Sequence, residues 1–359
     1  MKVLYIIDSL TSGGKERRLV SLIESMTKFD DIQMELIILS KVVHYESIFK
    51  TGIRIHHLKR DIRKDFFIVL KFNKILKDFK PDVVHCWDNL AAINFAPLCK
   101  LKGIPFLNSM ITSAPTLIKY GKRHISNALS YPFSDVILSN SQAGLNSFYV
   151  PKRKQKVIYN GFDFKRIKKL RDKEEVFDEF NIIQGRPVVG MVAAFSDKKD
   201  FLTLLKAAKI LDEKITVVLV GHGANLQSMK EYTTENSIKN IYFLGKQQDV
   251  ESIVNIFDMG VLLSTDGEGI SNSVMEYMVL KKPVIVTSGG GTVELVNNGV
   301  SGFIISPFNT EELVDKISLL INDQELSKKM GKEGYDRIKN NFNIDKMVEQ
   351  FYNLYKHYN

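Results

Sequence analysis

At 359 residues, and with roughly 100–200 residues to a domain, the chain is long enough for two domains with cores of their own, which excludes a single small binding module. A composition of 44% hydrophobic, 10% aromatic and 25% charged residues excludes disorder over most of the length. The net charge of +9 is lopsided: residues 1–160 hold 25 Lys and Arg against 13 Asp and Glu, while 161–359 hold 25 against 28.

Short apolar runs alternate with amphipathic stretches along the chain, twice over. In the first half, strands are expected at Val3–Ile7, Met34–Leu39, Ile53–Leu58, Val83–Cys86, Pro105–Leu107, Val136–Leu138 and Val157–Ile158, with helices including Lys15–Met26, Phe66–Phe79 and Leu90–Cys99. In the second half they are expected at Val188–Ala193, Thr216–Val220, Ile241–Leu244, Met259–Leu263, Pro283–Val286 and Gly302–Ile305, each followed by a segment of helical length. Such alternation means parallel sheets covered by helices on both faces, one sheet per half. The charged segment Lys165–Glu179 is the linker candidate, and Ile344–Tyr355 reads as a final amphipathic helix that must dock on something already built. This divides the chain into domains at 1–160 and 161–342, with a terminal helix at 343–359 expected to pack back on the first domain.

The opening apolar run is broken by Asp8, too early for a signal peptide, and no later run nears the ~20 apolar residues of a membrane span. Cys86 and Cys99 form no disulfide framework and no paired metal-ligand spacing, so buried thiols in a reducing, cytoplasmic compartment are expected. The basic first half suits an anionic membrane leaflet. Nucleic acid is disfavoured, because no helix-turn-helix, RNP-type segment or zinc-finger spacing is present. The stretch Ile62–Lys77, with lysines set between apolar residues, suits an interfacial helix on the inner face of the plasma membrane.

In open parallel sheets, ligands sit off the carboxyl ends of the strands, where loops lead into helix N-termini. The first strand runs into Ser9-Leu10-Thr11-Ser12-Gly13-Gly14-Lys15-Glu16, whose two glycines let backbone amides approach an anion; the spacing is neither that of a dinucleotide fingerprint nor that of a P-loop. In the second half, Met259–Leu263 leads into Ser264-Thr265-Asp266-Gly267-Glu268-Gly269-Ile270-Ser271-Asn272-Ser273 and then a helix that Ser271 can cap. The amides at that helix start suit a diphosphate without a metal. Glu276, in the first turns, can accept two hydrogen bonds from a ribose diol, and Glu268 in the loop is placed to meet a polar ligand. Thr287-Ser288-Gly289-Gly290-Gly291-Thr292-Val293-Glu294, Ala193–Asp200 with Lys199, Gly221-His222-Gly223 and Gly245 complete a set of ligand-type loops, which together describe a nucleotide between two domains. These loops are poor in histidine and in paired aspartates, which argues against a bound metal ion.

Taken in order, these residues resemble the retaining glycosyltransferases of family 4. The motifs are Gly13-Gly14, Val157-Ile158-Tyr159-Asn160-Gly161-Phe162-Asp163, Gly190 through Lys199-Asp200, Val220-Gly221-His222-Gly223, Leu244-Gly245, Glu268 to Glu276 as the family's E-x7-E, and Gly290 to Glu294. The resemblance covers essentially the whole chain and implies an α/β GT-B architecture: two Rossmann-like, doubly wound domains whose parallel sheets face a central cleft. It implies transfer of a hexose from a nucleoside diphosphate sugar, UDP-sugar slightly favoured over GDP-sugar, to a glycan or lipid-linked acceptor with retention of anomeric configuration. No other cofactor is implied. Carried over, Glu276 would hold the ribose, and Lys199 with the backbone of Gly269, Ile270, Ser271, Asn272 and Ser273 the diphosphate. Gly221 and Gly245 would lie beside the base, Glu268 would hold the sugar hydroxyls, and Gly13 and Gly14 would close over the diphosphate from the first domain.

His85, at another strand end, resembles a histidine that many members place at the reacting centre, so Glu268 and His85 are the catalytic candidates. Trp87 can stack on a sugar or pack in the core. Ala194 stands where many relatives have an arginine, which puts phosphate neutralisation on Lys199, and Asn108–Thr112 lacks a histidine that many carry there. The lysine- and asparagine-rich composition associates the chain with bacterial surface-polysaccharide assembly. A nucleotide-sugar hydrolase or epimerase of the same fold, and a noncatalytic nucleotide-sugar-binding protein, are the competing readings.

Overall fold

The computed structural model describes residues 1–11, 13–58 and 66–358, and divides into two compact units, Met1–Gly161 with Ile344–Asn359, and Phe162–Asn343. The first unit is built on strands β1 (Lys2–Ile7), β2 (Gln33–Ile38), β3 (Arg54–His57), β4 (Val83–Cys86), β5 (Phe106–Ile111), β6 (Val136–Ser139) and β7 (Gln155–Val157). They form one sheet in the order β3-β2-β1-β4-β5-β6-β7, parallel throughout. The second unit holds β8 (Val188–Val192), β9 (Thr216–Val220), β10 (Ile241–Gly245), β11 (Met259–Leu262), β12 (Val284–Thr287) and β13 (Gly302–Ile305), in the parallel order β10-β9-β8-β11-β12-β13. Every strand expected from the hydrophobic runs is present in both halves.

Successive residues of β1 show why the runs are continuous rather than alternating. Val3, Tyr5 and Ile7 join an apolar cluster on one face, and Leu4 and Ile6 join another on the opposite face. Helices cover both sides of the sheet, so each strand residue is buried whichever way it points. β5 runs further than the apolar run suggested, through Asn108 and Ser109, because those polar side chains are satisfied inside: Asn108 donates to Ser130 Oγ at 3.0 Å, and Ser109 Oγ pairs with His85 Nε2 at 2.7 Å. Buried polar groups persist in a core only when partnered in this way.

The terminal helix Ile344–His357 sets Met347, Val348, Phe351, Leu354 and Tyr355 into the first unit's core beside Leu19, Leu22 and Ile23 of helix Gly14–Met26. Tyr352 stacks on Phe29 with ring centroids 4.2 Å apart and donates to Asp31 at 2.7 Å.

The expectation of a linker at Lys165–Glu179 is corrected. The segment lies inside the second unit as a 3-10 turn, Phe164–Ile167, and a helix, Lys173–Glu179. Its two arginines pair within that unit: Arg166 with Glu251 and Glu276, and Arg171 with Asp249 and Glu179. The chain enters the unit at Phe162, whose amide donates to the Phe342 carbonyl at 2.7 Å, beside the point where it leaves. Cys86 and Cys99 are buried free thiols, pushed above their ordinary range by that burial. Among the described residues, no helix is long and apolar enough to cross a membrane.

Candidate active site

The second unit's ligand-type loops all leave the carboxyl ends of its strands, and backbone hydrogen bonds fasten one loop to the next. After β8, the Ser196–Lys199 turn runs antiparallel to the start of the β11 loop: the Asp200 amide donates to the Leu263 carbonyl and the Thr265 amide to the Lys198 carbonyl, both at 3.0 Å. After β9, the Gly221 amide donates to Gly245 at the end of β10 at 2.8 Å, and the Phe195 amide to the His222 carbonyl at 3.1 Å. Thr287 Oγ1 closes β12 onto β11, accepting from the Ser264 amide at 2.9 Å. Lys199 and Glu268, 69 residues apart, therefore meet: Lys199 Nζ donates to Glu268 Oε1 and, at 3.3 Å, to Ser264 Oγ. An ammonium has three N–H groups, so one remains for a ligand oxygen.

Glu268 is fixed from its backbone as well. Gly290 has φ +59°, a left-handed conformation that a side chain resists, and a Cβ there would strike the Glu268 amide and carbonyl. The Gly291 amide donates to that carbonyl at 2.6 Å. Helix Asn272–Val279 follows, capped by Ser271 Oγ, which accepts from Val274. It lies close on β11 because Gly260 leaves room for the Tyr277 ring, whose hydroxyl accepts from the Val192 amide at 2.6 Å. The helix start at Ile270–Ser273 thus opens beside Lys199 and Glu268, with the positive end of the helix dipole off the carboxyl edge. Glu276 is almost fully buried, at 3% exposure, and accepts from Arg166 Nη2 at 2.6 Å. Sequence reasoning missed Arg166 because no motif links it to a partner 110 residues away.

The glycine loop of the first unit lies at the carboxyl end of β1. Gly13 precedes helix Gly14–Met26 with extended backbone and accepts from the Tyr45 hydroxyl at 3.2 Å. Lys15 pairs with Asp8 at 2.5 Å, and burial pushes the Glu16 carboxyl above its ordinary range.

His85 requires a correction. It is fully buried under the terminal helix, with Nδ1 bonded to the Tyr355 hydroxyl and Nε2 to Ser109 Oγ, both at 2.7 Å, so neither nitrogen is open to a ligand. Trp87 packs beside it, with ring centroids 4.9 Å apart and Arg18 over the indole. Burial, with the Arg18 charge added, holds the imidazole well below its usual 6.5. The folded chain therefore refuses a proton that the unfolded chain takes up. The stability His85 contributes is whole above about pH 6.5 and drains away as pH falls below that, by about 1.4 kcal/mol per unit. Denaturation followed by the fluorescence of Trp87, the chain's single tryptophan, should show a midpoint that drops from pH 6.5 to 5. His85→Gln should flatten that drop; an equal slope in the variant would contradict the assignment.

Among the described residues, no three His, Cys, Asp or Glu side chains gather as a metal-holding group. Comparison with known proteins gives the family. The family model described as Glycosyl transferases group 1 matches residues 172–337, and that described as Glycosyltransferase Family 4 matches 12–166. The chain belongs to the group 1, family 4 glycosyltransferases. An N-acetyl-alpha-D-glucosaminyl L-malate synthase of Bacillus anthracis is 26% identical over 62% of this chain and 59% of its own length. The chain thus spans about three fifths of that curated relative. The UDP-Gal:alpha-D-GlcNAc-diphosphoundecaprenol alpha-1,3-galactosyltransferase of Escherichia coli is 24% identical over 81% of this chain and 79% of that one. The Anabaena protein Alr3699/HepE, solved in complex with UDP-glucose, matches with a TM-score of 0.88 at 20% identity, over 99% of this chain and 100% of that one. The chain has the GT-B fold, two Rossmann-like units of seven and six parallel strands.

Proposed function

We propose that this glycosyltransferase moves a hexose from a nucleoside diphosphate sugar, a UDP-sugar in the first instance, onto a glycan or lipid-linked acceptor with retention of configuration. The meeting of Lys199 and Glu268 beside the start of helix Asn272–Val279 carries this reading: a cation and helix amides for a diphosphate, and a carboxylate for sugar hydroxyls, stand at one strand end. Glu276 on the same helix takes the ribose. The named activity of the Escherichia coli relative, and the UDP-glucose in the Anabaena complex, support the same substrate class.

In the reaction, the acceptor oxygen bonds to the anomeric carbon as that carbon's bond to the diphosphate oxygen breaks. The acceptor's proton passes to the departing phosphate on the same face of the sugar. Lys199 and the helix amides stabilise the negative charge that grows on the leaving group, with no divalent metal in the step.

The first unit is proposed to take the acceptor at an anionic membrane. On helix Phe66–Phe79, Ile68, Phe72, Ile75 and Leu76 enter the core, while Phe67 and Leu70, 72% and 64% exposed, share the outer face with Lys71, Lys74 and Lys77. Residues Ile62–Asp65 of the expected interfacial stretch lie outside the described residues.

The test supplies each of several nucleotide sugars with phosphatidylglycerol vesicles carrying bacterial lipid-linked saccharides, in excess chelator. Release of nucleoside diphosphate coupled to a new glycolipid is expected, with protein pelleting on the vesicles at low salt and less at moderate salt. Turnover that vanishes in chelator and returns with magnesium or manganese would overturn the proposed step. Failure to pellet at low salt would remove the membrane surface.

A further inference from the structure

The environment of Glu276 is more specific than ribose recognition requires. A carboxylate this buried must be paired, and the guanidinium that meets it comes from the short turn Phe164–Ile167, packed over the Phe162 ring at 4.8 Å. The same nitrogen, Arg166 Nη2, also meets Glu251 Oε1 on helix Val250–Asn255. Two largely buried carboxylates therefore share one cation. The arrangement is braced from outside: the Arg171 amide donates to Ser252 Oγ and its Nε to Asp249, both at 2.9 Å, holding the turn against the helix that bears Glu251.

Without the guanidinium, the two acids would be like charges side by side. One would take up a proton or swing away, and a neutral or displaced Glu276 could no longer accept both hydrogen bonds of a diol. Arg166 meets the carboxylate at Oε1, while Glu251 fixes where the guanidinium stands.

We propose that Arg166 is a positioning residue for nucleotide recognition: bridging Glu251 and Glu276, it fixes the Glu276 carboxylate so that the group accepts the ribose hydroxyls of the donor. The proposal rests on the assignment of Glu276 to the ribose. Its distinguishing consequence is selective: the bridge governs the preference for a ribose over a deoxyribose, and leaves recognition of the diphosphate alone.

The experiment measures the affinity of the whole chain for whichever of UDP, GDP and ADP binds tightest, and for its 2′-deoxy form. One charge-assisted hydrogen bond makes the wild type prefer the ribo form by about ten- to a hundredfold. Arg166→Met should bring that preference to within about threefold, because the ribo form loses the bonds of both hydroxyls while the deoxy form loses only that of its 3′-hydroxyl. Arg166→Lys should retain an intermediate preference. Glu251→Gln added to Arg166→Met should restore part of it, because the neighbouring charge is gone.

Arg166→Met that keeps the wild-type preference, or that weakens both forms equally, overturns the proposal, the second result marking a merely structural role. If Arg166→Met does not fold, a wild-type preference in Arg166→Lys overturns it instead. The Glu276→Gln variant separates the two levels. A lost preference there with an unchanged one in the Arg166 variants removes the bridge alone, whereas an unchanged preference in Glu276→Gln removes the ribose assignment and the bridge with it. If none of the three diphosphates binds, the proposed function itself fails.

Discussion

Replacing Glu268 by glutamine should lower turnover by about ten- to a hundredfold with little change in the donor's KM, and replacing Glu276 by glutamine should do the reverse. A charge-assisted hydrogen bond contributes ~1.5–3 kcal/mol, which sets that range. Glu276 is proposed to hold the ribose, a part of the donor that is the same in ground and transition states, so its loss removes uniform binding and appears in KM. Glu268 is proposed to hold the sugar, which gains positive character as its bond to phosphate breaks, so its charge acts where the transition state differs. The Lys199 contact sharpens the expectation: glutamine at 268 keeps an oxygen for Lys199 to bond but removes the negative charge. Steady-state kinetics with the true donor decide it, and unchanged constants in both variants would place neither glutamate at the ligand.

Gly290→Ala should reduce turnover by about a hundredfold or more. A side chain in left-handed backbone costs about 1–2 kcal/mol wherever it occurs. At Gly290 the added methyl must also displace the Glu268 peptide, whose amide and carbonyl it would strike, and displacement of a reacting group by about 1 Å is enough for a hundredfold loss. Gly299 provides the control. It has φ +76° with open space around its Cβ, so Gly299→Ala pays the backbone strain and leaves Glu268 in place. Its melting temperature should fall while kcat holds. Equal activity losses in the two variants would show that Gly290 acts through stability alone.

The sheets were legible because buried parallel strands leave a physical trace that sequence preserves: Val83–Cys86 and Thr216–Val220 are buried on both faces, and their limits match the runs. The ligand-type loops of the second unit were legible as strand-to-helix turns with glycine and a cap, down to Ser271. Long-range electrostatic pairing was not legible. Lys165–Glu179 looked like a solvated connector because a charge run is silent about its partners, and Arg166 and Arg171 find theirs some 80 to 110 residues away. His85 sits at a strand end, as a ligand-facing residue would. What removes it from that role is a lid of Phe351 and Tyr355, contributed by a helix some 270 residues later. The stripe of that helix was readable, but the surface it covers was not.

The central claim is that a nucleoside diphosphate binds at the carboxyl edge of the β8–β13 sheet, between the Lys199 turn and the start of helix Asn272–Val279. Amide hydrogen exchange read by mass spectrometry, with and without saturating UDP, GDP or ADP, tests it without knowledge of sugar or acceptor. For at least one nucleotide, exchange should slow in residues 193–200, 221–225, 264–273 and 288–292 together. Slowing confined to residues 1–161, or none in 264–273 with a nucleotide shown to bind, would contradict it.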